Sequence, residues 1–208
     1  LDQALKYGVN HIRGGEIRML PGSEMDTPES RKKYGLGTKY RLYEGGAGIY
    51  RGQVVYELEE VIRSTNAMSE KEMLKLRVIR AMFFGSLTLG EHTPMIPYLI
   101  QNGVRVTDVF QRLVDRKHEE KNFETAADWL SEQAETEFFD TREEATSYFA
   151  DESHAASLFG DEGAFTKLNF DFTTRLILRP EEYKAYNALM EKVLLDLTRD
   201  FSEPLVIK

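Results

Sequence analysis

The chain has 208 residues, a formal net charge of −8, 41% apolar and 30% charged side chains, and no cysteine. That balance belongs to a folded protein able to bury a sizeable core, as one domain or two small ones. It excludes disulfides and cysteine nucleophiles, and the net charge of −8 argues against a general nucleic-acid-binding role, since phosphate affinity comes from clustered Lys and Arg.

No apolar run approaches the roughly 18 residues of a membrane span. Leu1 opens neither a basic region nor an apolar signal core, so no signal peptide is expected and the expected compartment is the cytoplasm. The missing initiator Met agrees with an excised fragment.

In chain order, Asp2 to Val9 reads as the end of a helix stopped near Gly8. His11 to Gly15 is a loop or the first part of a strand running from Ile12 to Leu20, and the paired glycines suggest a bulge. Ile17, Met19 and Leu20 form its apolar run. Pro21-Gly22 ends it, because Pro has no N–H for the ladder and Gly admits turn geometries. Thr27-Pro28-Glu29-Ser30 then opens a helix with Pro at its first position. A strand, a Gly turn and a helix make half of a β-α unit. A lone parallel-type strand cannot bury both faces, so the chain reads as the tail of something larger.

Residues 31–41 hold Arg31, Lys32, Lys33, Lys39 and Arg41 with Tyr34 and Tyr40 between them. A solvated surface is the plain reading, and a patch meeting an anionic substrate or a neighbouring domain is the sharper one. Gly45-Gly46-Ala47-Gly48 lacks the Gly-Lys-Ser/Thr ending of a phosphate loop and reads as a flexible loop over a barrel mouth. Arg41, Tyr43, Tyr50 and Arg51 are the candidate substrate-binding residues. Gln53 to Ile62 reads as a strand with Val54, Tyr56 and Leu58 on one face, and Tyr50-Arg51-Gly52-Gln53 as its hairpin turn.

Ser69-Glu70-Lys71-Glu72 is a capping box, followed by Met73, Leu76, Ile79 and Phe83 at helical spacing up to Gly85 or Gly90. Further helices are expected over Thr93 to Gln101, from Val106 to His118, and between Phe123 and Phe139 around Trp129. Thr141-Arg142-Glu143-Glu144 is a second capping box. Gly160 to Gly163 is a break, Thr166 to Leu178 reads as a strand or extended segment, and Arg179-Pro180 starts a last long helix. The tail from Ser202 is expected to be loose. The fold class is therefore α+β and helix-dominated, with a β-containing segment over 1–65 and a helical domain over 66–208.

The chemical census is thin. His11, His92, His118 and His154 form no zinc spacing, and no Gly-x-Ser-x-Gly elbow is present. Glu59-Glu60 and Glu143-Glu144 are adjacent, point apart, and read as solvated surface.

The run Met19-Leu20-Pro21-Gly22-Ser23-Glu24, with Ser30-Arg31-Lys32-Lys33-Tyr34-Gly35-Leu36 and Thr38-Lys39-Tyr40-Arg41, resembles the segment closing the catalytic barrel of radical S-adenosylmethionine proteins, in the branch that also carries a cobalamin-binding domain. The resemblance covers roughly residues 1–120. It implies a short end of a β/α barrel followed by a helical extension. Met19, Leu20, Pro21, Gly22 and Ser23 would line the adenine and sugar of S-adenosylmethionine, Ser23 standing where threonine is commoner, and Glu24 would tie the turn. Family members hold a [4Fe–4S] cluster with three cysteines, and this chain has none. The resemblance thus implies an accessory, substrate-covering region without catalysis of its own. S-adenosylmethionine, the cluster and cobalamin would belong to the full-length protein, and the partners would be the upstream barrel and cobalamin-binding domains of the same polypeptide. The alternative is a stand-alone helical protein-interaction module. An unpartnered strand ending in Pro-Gly favours the first.

Overall fold

The computed structural model describes residues 1–9, 15–90, 92–151, 153–154 and 168–199. It is a helix-dominated α+β protein, as the sequence indicates. In order come α1 (Asp2–Lys6), β1 (Arg18–Met19), α2 (Pro28–Tyr34), β2 (Gly37–Tyr50), β3 (Gln53–Ser64), α3 (Glu70–Leu89), α4 (Met95–Gln101), α5 (Val106–Asp115), α6 (Lys121–Thr136), α7 (Arg142–Ala150), α8 (Leu168–Leu178) and α9 (Pro180–Thr198). The chain forms two compact units, one from 1–14, 77–132 and 168–208, the other from 15–76 and 133–167. They are interleaved in sequence rather than divided at residue 65.

The second unit carries a three-stranded sheet of order β1-β3-β2, antiparallel throughout. The strand expected to be a parallel barrel strand is thus corrected: β1 is two residues long and runs antiparallel to β3, with Arg18 opposite Val61 and Met19 opposite Glu60. Continuing that register sets Leu20 opposite Glu59 and Pro21 opposite Leu58. Pro21 has no N–H to donate, so pairing stops there.

Arg51 (φ 50°) and Gly52 (φ 78°) make the tight two-residue turn between β2 and β3, as the sequence predicts. The glycine-rich run is not a loop over a barrel mouth but part of β2. The register shifts between Leu42, opposite Leu58, and Ala47, opposite Tyr56, so Tyr43 to Gly46 bulge against Glu57 alone. A Cβ on Gly46 would meet the Tyr43 ring at 2.8 Å, so this bulge needs a glycine there.

Leu42 and Phe149 are buried at the centre of this unit, with Tyr56, Leu58 and Phe139 around them. Phe139 also exchanges backbone hydrogen bonds with Tyr40 (2.9 and 2.8 Å), seating a short extended piece on the outer edge of β2. The α7 cap departs slightly from a capping box. Thr141 Oγ accepts from the Glu144 N–H (3.1 Å), but the Glu144 carboxylate reaches back to Asp140 N–H (3.0 Å), one residue before the cap. At α3 the box is complete, with Ser69 Oγ accepting from Glu72 N–H (3.3 Å) and Glu72 accepting from Ser69 N–H (2.8 Å).

In the first unit, Val106, Val109, Phe110 and Leu113 follow helical spacing and are buried on α5. Phe83 meets Phe110 edge-on at 5.3 Å. Tyr186 of α9 is fully buried, and its hydroxyl lies 2.5 Å from Ser86 Oγ. The segment expected to be extended near Leu178 is α8, with Phe172, Thr173 and Leu176 buried. Their spacing is one helix turn, not strand alternation, and Phe170 of the supposed strand face is 48% exposed. The expected break at Gly160 to Gly163, the Ile12 to Gly14 start of the first strand and the tail from Ser202 lie outside the described residues.

Candidate functional site

The Leu20-Pro21-Gly22-Ser23 turn is built and held by its own neighbours. Ser23 N–H donates to the Leu20 carbonyl (3.0 Å), and Gly22 has φ 77°, the left-handed geometry that a Pro-Gly turn asks of its third residue. Gly22 N–H donates to the Asp26 carboxylate at 3.1 Å. Asp26, not Glu24, therefore ties the turn. Asp26 also accepts from Arg31 (2.6 Å), and Arg31 forks onto both oxygens of Glu60 on β3 (2.7 and 2.9 Å). The Thr38 hydroxyl donates to Glu60 as well (2.5 Å).

A chain of charges thus links the turn to the sheet. Hydrogen bonding from Arg31 holds both carboxyls, Asp26 and Glu60, below the usual carboxylate range, and the same bonds, from Glu60 first, raise the guanidinium. Thr27 caps α2 by accepting from Ser30 N–H (3.3 Å) with Pro28 at the first position.

The five residues assigned to the cofactor are distributed unevenly. Met19 is buried in its unit, Leu20 is 63% exposed, Pro21 and Gly22 are exposed, and Ser23 is half-buried. The amides of Gly22 and Ser23 are used within the turn, which leaves the exposed Leu20 side chain as its outward apolar group.

The candidate substrate residues do not converge. Arg41 is held by Glu59 (2.6 Å), Glu137 (3.1 Å) and Glu16 (3.4 Å). Glu59 also pairs with Arg18 (2.7 Å), whose guanidinium lies 4.7 Å from the Tyr43 ring centre. Arg41 and Tyr43 therefore belong to one network. Tyr50 and Arg51 sit at the hairpin tip, the Arg51 guanidinium 5.4 Å from the Tyr50 ring centre. Arg41 pairs with Glu59 and Tyr50 with Gln53, so about 20 Å of β3 separates the two pairs at strand rise.

The reading of residues 31–41 as a patch open to an anionic substrate is corrected by these contacts. Arg31 and Arg41 face carboxylates of their own chain, and Lys39 lies between Glu70 and Asp140 at 3.1 Å from each. Lys32 and Lys33 remain exposed. Beside this network Arg63 is almost fully buried, 4.1 Å from the Phe138 ring centre and 3.6 Å from Glu70, and burial pushes its guanidinium down. Glu59 and Glu60, expected to be solvated surface, are instead the carboxylates that receive these arginines, one on each sheet face. Sequence adjacency did separate them, since successive strand residues point to opposite faces. The arginines that bury them come from 18 to 41 residues away and leave no local signal.

His154 stacks on Tyr148 (3.8 Å) and its Nδ1 donates to the Tyr148 carbonyl (3.1 Å). His92 lies edge-on to Tyr186 at 5.7 Å between ring centres. His11 lies outside the described residues. Among the described residues, no group of three His, Cys, Asp or Glu side chains converges as a metal site, and no helix is long and apolar enough to cross a membrane. No family model matches the chain, and no curated protein matches it.

Proposed function

We propose that this chain is a non-catalytic accessory region of a radical S-adenosylmethionine enzyme of the cobalamin-binding branch, working against a catalytic half that holds the cofactors. The observation that carries this reading is the Leu20–Ser23 turn. It is tied by Asp26, Arg31 and Glu60 into one geometry, yet Leu20 stays 63% exposed. A preorganised apolar turn that its own unit leaves uncovered suits contact with a ligand or a second body. The chain's residues do not themselves fit a [4Fe–4S] cluster, because it has no thiolate. Its role would be to present the turn and to cover substrate.

The test is the size of the native polypeptide in its source cell, blotted with an antibody against residues 60–200. A band far above 24.0 kDa, with iron, sulfide and cobalamin in the purified protein, is the expected result. In that protein Leu20→Glu should weaken S-adenosylmethionine binding while leaving iron content intact. A band at the size of this chain overturns the reading. It would leave the second one, a stand-alone interaction module. That reading is favoured by the hairpin end, where Ile49, Tyr50, Val54 and Val55 are 65%, 65%, 36% and 54% exposed.

A further inference from the structure

The outward edge of β3 is paired along only part of its length. β1 covers Glu60 and Val61, and Ile62 N–H donates to the Ile17 carbonyl (2.9 Å). Continued by two residues, that register would set Leu20 and Pro21 opposite Glu59 and Leu58, where the Pro-Gly turn leads the chain away. This leaves Gln53 to Glu57 as an open window. Hydrogen-bonding direction alternates along a strand. The outward bond of Ile62, and the two-residue turn that closes on Tyr50 and Gln53, both set Val54 and Tyr56 with their amides and carbonyls facing out. No hydrogen bond among the described residues seats a group on them. Gln53, Val54, Val55 and Glu57 are exposed. A bare, β-branched edge of this kind is a template for another strand.

We propose that this window pairs, antiparallel, with the same window of a second copy of the chain. A two-fold axis at Val55 makes the two five-residue windows coincide. Val54 then exchanges backbone hydrogen bonds with Tyr56 of the second copy and Tyr56 with its Val54, so all the outward groups are used. Gln53 lies opposite Glu57, an amide donor against a carboxylate, at both ends. Val55 faces Val55 at the centre. Sliding by two residues in one direction drives the second copy into Leu20, and in the other leaves Tyr56 facing the turn. The sequence of the window is thus complementary to itself in the one register that the edge permits. The bulge of β2 lies on the opposite side of β3 and does not obstruct it.

Sedimentation of the 208-residue chain over a range of concentrations tests this, with the expected limit at twice 24.0 kDa. Val54→Pro removes an outward N–H from each copy and none from the β2–β3 ladder. Loss of those two bonds should weaken the dimer roughly thirtyfold, with unchanged circular dichroism. Val55→Lys and Val55→Glu should each weaken it through like charges across the axis, and mixing the two variants should restore it. The chain has no cysteine, so Val55→Cys adds a single thiol. Facing non-hydrogen-bonded residues lie about 4.5 Å apart at Cα, within disulfide reach, so this variant should oxidise to a covalent dimer while Tyr50→Cys should not. If Val54→Pro unfolds the sheet, the charge-swap pair still decides. A chain that stays monomeric overturns the proposal, and so does a dimer indifferent to the Val55 substitutions.

Discussion

Replacing Arg41 by Met removes the centre of the charged sheet face while keeping most of the side-chain volume. Arg41 is 14% exposed and Glu59 8%, so both ions are well withdrawn from water. Breaking such a pair from one side costs about 3–5 kcal/mol, because the remaining carboxylate is stranded. Here Arg18 still reaches Glu59 at 2.7 Å, which places the expected loss near the lower end, about 3 kcal/mol. Hydrogen exchange reads the sheet unit directly. Amides of the β2–β3 ladder should exchange roughly a hundredfold faster at that cost. Amides of α5 and α9, in the other unit, should change little. The double variant Arg41→Met/Glu59→Leu should recover only part of the protection, since Glu16, Glu137 and Arg18 each still lose a partner. Ladder exchange within threefold of the parent in the single variant would show that the network is solvated and refute this account.

Other consequences can be checked on the same chain. Asp26 and Glu60 titrate below their ordinary values when folded. Their contribution is fully present above the unfolded pKa, near 4.3 for Glu60, and is lost as pH falls through the folded values. Arg31→Gln should therefore flatten the acid limb of sheet-unit stability below about pH 4.5, and an unchanged limb would count against the Arg31 linkage. Gly35 (φ 59°) has Asn66 Oδ1 2.0 Å from where a Cβ would stand, whereas Gly22 (φ 77°) has open space. Both Ala variants should pay about 1 kcal/mol for the left-handed backbone, with a further loss in urea melts only at Gly35, whose substitution also displaces the Asn66 amide from the Lys33 carbonyl. Tyr186→Phe leaves the buried Ser86 hydroxyl without its partner. It should cost about 1–2 kcal/mol in melts followed by Trp129 fluorescence, with Ser86→Ala/Tyr186→Phe closer to the parent.

Signals that act over a few residues are legible in the sequence. The Ser69–Glu72 box, Pro28 at a helix start and the Arg51-Gly52 turn all depend on neighbours a few residues apart, and all stand where expected. What failed depended on distance. The shared parity of Leu168, Phe170 and Phe172 favours an extended segment, yet the face that α8 buries runs from Phe172 to Leu176. The direction of β1 depends on β3, some forty residues later. Within the candidate site, the Pro-Gly turn itself was legible, but its anchor was not. Asp26, Arg31 and Glu60 come from three elements, and only folding brings them together. The bulge in β2 was hidden by its own composition, since four glycines within a dozen residues read as a loop until β3 lies alongside.

The interleaving of the two units also orders their appearance during vectorial synthesis. The chain passes from one unit to the other four times, after residues 14, 76, 132 and 167. A nascent chain extended to residue 167 contains every segment of the sheet unit, whereas the helical unit still waits for α8 and α9. Tyr186, fully buried in that unit, follows residue 167, so its place beside the Phe123 ring stays open until α9 has been made. The sheet unit can therefore close before the helical unit, and no contiguous stretch of this chain corresponds to the helical unit alone.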